Sequence, residues 1–262
     1  MRPFMIALML AVLSPSQAAE PDKNKIHQYY DHVFPHIVFG AMEWKTTFFF
    51  FNPTRGTEEF LLKFYADDGQ PMRVPCLGGM YETVDVTLPP MGSTSFETDY
   101  RPEVPSSWGW AEMASTPYSF GPPGDVQGLA IFRQRVPGRN DVEATVPTDG
   151  PYGNTKFLVF DNANGFVMGV ALANPSSWDT MKVQVHFYGQ NGALFHEEEF
   201  YMGPLAHTAF ALPDRFPQSA NRKGTVVFES WEASVFGAAV LGLRFSPNGS
   251  FTSVHPWDES VW

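Results

Sequence analysis

The chain has 262 residues and a formal net charge of −11, and an acidic protein of this kind repels phosphate backbones, which argues against a nucleic-acid partner. Aromatic residues make up 15% of the chain, and its 23 prolines and 22 glycines are typical of turns between strands. The composition therefore predicts an all-β protein. A single cysteine, Cys76, excludes an intrachain disulfide, and we expect it to be a small buried hydrophobic residue.

Residues 1–18 have the pattern of a secretory signal peptide. Arg2 precedes an apolar run from Phe4 to Leu13, and small residues follow around Ala18. The run is shorter than the roughly 20 apolar residues that cross a bilayer, and charged residues or prolines interrupt every later apolar segment. The sequence therefore predicts a secreted or periplasmic protein with no transmembrane segment after cleavage. Residues 19–35 are expected to form an N-terminal arm.

The rest of the chain resembles itself as two copies of one module, residues 36–148 and 154–257. Matched landmarks keep the same order in both copies: Asn52-Pro53 with Asn174-Pro175, Phe64-Tyr65 with Phe187-Tyr188, Asp68-Gly69 with Asn191-Gly192, Pro90 with Pro204, Phe96 with Phe210, Arg133 with Arg244 and Pro137 with Pro247. Their spacing changes where loops are expected, as in an internal duplication. Residues 75–80 are the predicted insertion of the first copy. Residues 149–153 are the predicted linker, which is short enough for the modules to pack together.

Aromatic and β-branched runs predict seven strands in each copy. In the first copy they are 45–51, 58–65, 84–88, 93–98, 110–114, 126–135 and 142–146; in the second they are 166–173, 181–188, 193–202, 208–212, 225–230, 235–245 and 250–254. Asp68-Gly69 and Asn191-Gly192 are predicted to be type I′ hairpin turns. Short strands with turns about every 8–12 residues suggest a sandwich or a barrel, and we expect two tandem antiparallel β-sandwiches. At this level the modules resemble the immunoglobulin-like and fibronectin-type repeats of secreted bacterial proteins, which implies the same architecture.

The sequence contains none of the motifs that mark a catalytic, metal or cofactor site. The densest group of ionisable residues is 196–199, His-Glu-Glu-Glu, but on a strand its neighbours point alternately to opposite faces. We interpret it as the solvated face of an edge strand. The chain is therefore predicted not to be an enzyme and to bind no cofactor.

The residues best suited to bind a ligand are tryptophans near strand ends and a pair of arginines. Tryptophan rings can stack on sugars, and the candidates are Trp44, Trp108, Trp178 and Trp231. Arg133 and Arg135 share a strand face and can bind a carboxylate. Asp141 and Glu143 on the next strand offer them a structural role instead, as partners across a hairpin.

These observations favour a secreted, non-catalytic structural or adhesion protein whose loops bind an unknown protein or glycan partner. A carbohydrate-binding module that uses the loop tryptophans is the first alternative, and it requires an exposed aromatic surface. An enzyme with an unrecognised site is the second, and it requires a pocket that gathers several polar groups.

Overall fold

The computed structural model describes residues 32–115, 126–149, 153–231 and 237–258, and nearly all regular structure in them is β, as the composition predicts. The signal peptide and most of the expected arm lie outside the described residues. The strands are β1 His32–Phe39, β2 Trp44–Phe51, β3 Glu58–Tyr65, β4 Val74–Cys76, β5 Gly79–Tyr81, β6 Thr83–Leu88, β7 Ser93–Glu97, β8 Ser107–Ser115, β9 Gln127–Gln134, β10 Val142–Pro147, β11 Thr155–Asp161, β12 Val167–Ala173, β13 Met181–Gly189, β14 Leu194–Met202, β15 His207–Ala211, β16 Lys223–Trp231, β17 Ala239–Phe245, β18 Phe251–Val254 and β19 Trp257–Asp258. A short helix α1, Leu212–Arg215, and a 3₁₀ turn, Pro217–Ser219, follow β15.

The first half of the chain forms a sandwich of two antiparallel sheets. Sheet A has the strand order β1-β8-β3-β6, and sheet B has the order β10-β9-β2-β7. Apolar side chains alternate inward along β2, where Phe48 and Phe50 are buried, and they meet Phe60 and Phe64 of β3 in the core. Strands β4 and β5 form a separate ribbon at the predicted insertion.

The second half repeats this strand order. Sheet C is β14-β13-β16-β11-β19, and sheet D is β15-β12-β17-β18. If the β4–β5 ribbon and the additional edge strand β19 are set aside and the strands of each half are counted in chain order, both halves pair them as 1-6-3-4 and 8-7-2-5. In an immunoglobulin domain the first strand lies beside the second, whereas here it lies beside the sixth. The likeness to such repeats is therefore one of two-layer architecture and not of strand order.

The two halves also share a local structural motif at their matched Asn-Pro dipeptides. The side-chain amide of Asn52 lies 3.2 Å from the carbonyl oxygen of Leu88, and that of Asn174 lies 3.2 Å from the carbonyl oxygen of Met202. Each amide also reaches the carbonyl of the next residue and one in its own loop. Each asparagine therefore fastens the end of the fourth strand of its half to the loop after the second.

One matched pair of the sequence comparison is displaced by a residue. Thr46 and Met168 occupy equivalent positions, since each lies six residues before its matched asparagine. The ladder places Phe132 opposite Thr46 and Arg244 opposite Met168. Arg244 therefore corresponds to Phe132 and not to Arg133.

The type I′ assignment of the two matched turns is wrong. A type I′ turn needs positive φ at both central residues, but Gly69 and Gly192 have φ of 80° and 75° while the preceding Asp68 and Asn191 do not have positive φ. In each turn the glycine instead follows an ordinary turn and opens a bulged hairpin, with its N–H bonded to the carbonyl three residues earlier. The prediction failed because an Asx-Gly dipeptide suits both turn types.

The predicted boundary between arm and first module is also wrong, because residues 32–35 belong to β1. A proline inside a run argues against a strand, yet Pro35 is accommodated where β1 bulges between Phe34 and Ile37. Proline has no backbone N–H, and no hydrogen bond is lost here because the β1–β8 ladder is already interrupted at this bulge. The equivalent strand of the second half, β11, was not predicted either. At the predicted linker, Asp149 is buried and pairs with Val33 of β1 rather than being solvated.

The two halves pack against each other through the outer face of sheet D. Ala171, Leu241 and Phe251 from that face join the core of the first half, and they cover the open side of its sandwich between β1 and β10. The ring of Trp44 stacks on Phe251 at a centroid distance of 6.0 Å. The interface between the halves continues the apolar core of the first half.

The remaining sandwich sides are closed by short segments. The β4–β5 ribbon bridges to the end of β7 through Cys76 and Thr98, and burial raises the pKa of the Cys76 thiol to about 11. Cys76 is buried, as expected. In the second half, α1 packs on β12 and β15, and β19 pairs with the edge of β11. Covered edges of this kind resist pairing with other chains.

Candidate binding surfaces

The candidate tryptophans other than Trp108 lie in three different settings. Trp44 packs in the interface between the halves, where the centroid of its ring also lies 6.2 Å from that of Phe132. Trp178 lies half-buried in the loop after β12, and its backbone N–H is bonded to the hydroxyl of Ser176. Trp231 ends β16, and its side chain lies outside the described residues.

Of the two arginines, Arg133 has the structural role that the hairpin offers. Arg133 lies directly opposite Glu143 in the β9–β10 ladder, and its Nε is 3.7 Å from a carboxylate oxygen of Asp141. Arg135 lies beyond the end of β9, exposed, with its backbone N–H bonded to the carbonyl of Glu43.

Trp108 lines a cleft of about 630 Å³ on the first half, beside the junction with the second. Its indole N–H donates to Asp67 at 3.0 Å. The walls combine apolar and ionisable side chains: Phe39, Met72, Met80, Val104, Asp68, Arg73 and Glu103. Of the tryptophans proposed from sequence, Trp108 is the one that the described structure places in a cleft.

A chain of three side chains runs from this cleft into the junction. A carboxylate oxygen of Asp67 lies 2.7 Å from Nδ1 of His207, and Nε2 of His207 lies 3.2 Å from Nδ1 of His36. The histidine rings are stacked with centroids 5.3 Å apart. Burial, together with the neighbouring His207, lowers the pKa of His36 to about 3, so this ring is neutral at ordinary pH. The three residues are far apart in sequence and form no motif, so sequence reasoning did not find them.

A second surface lies on the outer face of sheet B. Phe49 stands opposite Ser95 and Leu129, and Phe51 stands opposite Ser93 and Gln127. We call these six residues the B face. They line a shallow groove of about 440 Å³, and Phe49, Phe51 and Leu129 are 40%, 39% and 36% exposed. None of the six carries an ionisable side chain.

The equivalent positions in the second half form the interface between the halves. The matched Asn-Pro dipeptides and the strand register align Phe49 with Ala171 and Leu129 with Leu241. Ala171 and Leu241 are 2% and 1% exposed, because both pack against the first half. The B face is thus the uncovered counterpart of a surface that this fold already uses for contact.

One sequence signal does point to the B face. Four consecutive phenylalanines, residues 48–51, occupy a strand whose sheet covers the core on one side only. Such a strand is expected to alternate apolar and polar residues. The run therefore places two aromatic rings on the outward side, and the sequence alone shows this departure from alternation.

The fold and its surfaces thus define an all-β protein of two tandem sandwiches with an uncovered apolar sheet face. No family model matches the chain, and no curated protein is similar enough to count as a relative. Among the described residues, no helix has the length and apolar character needed to span a membrane.

Proposed function

We propose that this protein is an exported, non-catalytic binding or structural protein that contacts a protein partner through the B face. The observation that carries the proposal is the exposure of Phe49, Phe51 and Leu129 together on one rigid sheet face. Contiguous apolar surface rimmed by polar residues marks contact sites in soluble proteins. Aromatic side chains also contribute a large share of the binding energy in protein interfaces.

Export and internal duplication are parts of this proposal. The signal-like pattern in residues 1–18 supports export, and N-terminal sequencing of exported protein should begin at Ala19 or Glu20. An exported chain that still begins at Met1 would count against it. The shared strand order and the matched Asn52 and Asn174 motifs support descent of both halves from one module.

Site-specific photocrosslinking tests the contact. A photoreactive amino acid replaces Phe51 in the B face and, as a matched control, Val159, which is 50% exposed on the outer side of β11. We expect discrete crosslinked products in the producing cells from position 51 and none from position 159. Equal products from both positions, or none from position 51, would rule out the B face as a contact site.

A second candidate function is the binding of a glycan in the Trp108 cleft. The cleft is favoured because Trp108 offers an aromatic wall beside carboxylates of Asp67 and Glu103, and carboxylates accept hydrogen bonds from sugar hydroxyls. A glycan array with the purified protein, repeated with Trp108→Ala, tests it. Binding that Trp108→Ala abolishes supports this function, whereas an array without hits, or hits that the variant retains, excludes the cleft.

A further inference from the structure

We propose that the B face joins two copies of this protein, face to face, in a two-fold symmetric dimer. This inference rests on the proposed function, because it names the partner of the same surface. It follows from the charge of the face, from the size of its side chains and from the way in which the equivalent face is used within the chain.

The absence of charge on the B face favours it as the surface through which two copies meet. With a formal net charge of −11, two molecules repel each other over much of their surface. The B face carries no ionisable side chain, so two B faces can meet without burying a charge. The nearest ion pair on the same strands, Lys45 with Glu97 at 2.7 Å, lies toward their other end and is internally neutralised. Added salt screens the remaining repulsion and is expected to strengthen the dimer.

Side-chain size favours a second sheet as the occupant. Two sheets packed face to face lie about 10 Å apart, and large interdigitating side chains fill the gap. Phe49, Phe51 and Leu129 are long enough for this. The counterparts of Phe49 and Phe51 in sheet D, Ala171 and Ala173, are small and suit the close approach of β1 that is observed. The B face therefore fits a sheet better than an edge strand.

Symmetry selects the second copy. A flat apolar patch that meets itself forms an isologous contact, and two-fold dimers are the commonest assemblies of identical chains. In such a dimer the Phe49 side chains of the two copies approach each other near the axis.

Light scattering on the purified protein over a hundredfold concentration range, at low and high salt, tests the dimer. We expect the mass to rise from one chain to two, at lower concentration in high salt. Phe49→Asp places two carboxylates across the axis and should weaken dimerisation at least about tenfold. Leu129→Ser, which adds no charge, should weaken it less. Val159→Asp on sheet C is the matched control and should leave dimerisation unchanged. Circular dichroism checks that each variant is folded.

A mass of one chain over the whole range at both salt concentrations would overturn the dimer, as would equal loss from Phe49→Asp and Val159→Asp. The crosslinking experiment separates this failure from failure of the proposed function. Crosslinks from position 51 to a different polypeptide, with a monomeric pure protein, refute the dimer and keep the contact site. No crosslinks and no dimer refute both.

Discussion

At the scale of single residues, the junction between the two halves contains a histidine whose pKa changes when the protein folds. His36 faces His207, which in turn faces Asp67, and the pKa of His36 is lowered to about 3 in the folded protein. In the unfolded chain an ordinary histidine has a pKa of about 6.5. The folded state therefore binds fewer protons between these two values, and stability falls as the pH falls through that window.

We expect the contribution of His36 to the free energy of unfolding to be retained above about pH 6.5. At pH 5.5 it should lower the free energy of unfolding by about 1.4 kcal/mol relative to the value well above pH 6.5. Chemical denaturation of the wild type and of His36→Asn at several pH values measures this contribution as the difference between their slopes. Val159→Ala, at an exposed position without a titratable group, is the control and should retain the wild-type slope. Parallel curves for the wild type and His36→Asn would contradict the prediction.

Substitutions at two matched glycines distinguish the cost of backbone strain from the cost of a clash between the halves. Gly69 and Gly192 have the same turn and positive φ, but a Cβ on Gly69 would collide with the carbonyl oxygen of Pro204 in the second half, while a Cβ on Gly192 meets nothing within 4 Å. We expect Gly192→Ala to cost about 1 kcal/mol through φ alone. Gly69→Ala should cost at least about 1 kcal/mol more, because backbone must move. Denaturation midpoints decide this, and equal losses would show that the Pro204 contact yields freely.

At the scale of elements, each Asn-Pro loop fastens the end of the fourth strand of its half to the loop after the second strand. Asn52 and Asn174 are fully buried, and each side chain serves several backbone groups. The oxygen of Asn52 accepts from the N–H of Thr54, and that of Asn174 accepts from the N–H of Ser176. The amide donor and the oxygen acceptor can therefore be tested apart.

We expect Asn52→Asp and Asn174→Asp each to destabilise the protein by about 1–3 kcal/mol, since Asp keeps the acceptor but leaves buried carbonyls without a donor. Alanine at either position should cost at least as much, because it removes both. Urea denaturation measures the four variants. A stable Asp variant beside a destabilised Ala variant would mean that the acceptor alone matters.

Sequence reasoning gave most of the strands because burial on one side imposes a period of two, as in residues 84–88. It missed β1 because Pro35 breaks the local pattern, and only pairing with β8 shows that a bulge accommodates the proline. It did not find the His36–His207 contact, which depends on how the two halves dock. The B face was partly predictable from residues 48–51, but its meaning required the register that equates it with sheet D.

At the scale of the whole molecule, the halves share a core and a buried ion pair. Lys156 of β11 donates to Asp149 at 2.7 Å, and the N–H of Val240 donates to the other oxygen of that carboxylate. Burial raises the pKa of Asp149, and Lys156 opposes that rise. The pair therefore joins the end of the first half to two strands of the second.

We expect Lys156→Met to destabilise the whole protein by about 3–5 kcal/mol, because it leaves the Asp149 carboxylate buried without its cation. The double variant Lys156→Met with Asp149→Asn should recover part of this loss, since no charge remains buried. Scanning calorimetry measures both variants and should show one transition in each. A loss confined to one of two separate transitions would show that the halves unfold independently.

The pairing of β1 with β8 also governs the order in which the chain can fold. The first strand of each half pairs with the sixth strand, which lies about 70 residues further along the chain. Neither sandwich can therefore close before its sixth strand has been synthesised. Contacts this distant along the chain slow folding, because loop-closure entropy is lost before the contacts form. Each half therefore stays open until its sixth strand has been synthesised, and the first half can close before the second half is complete.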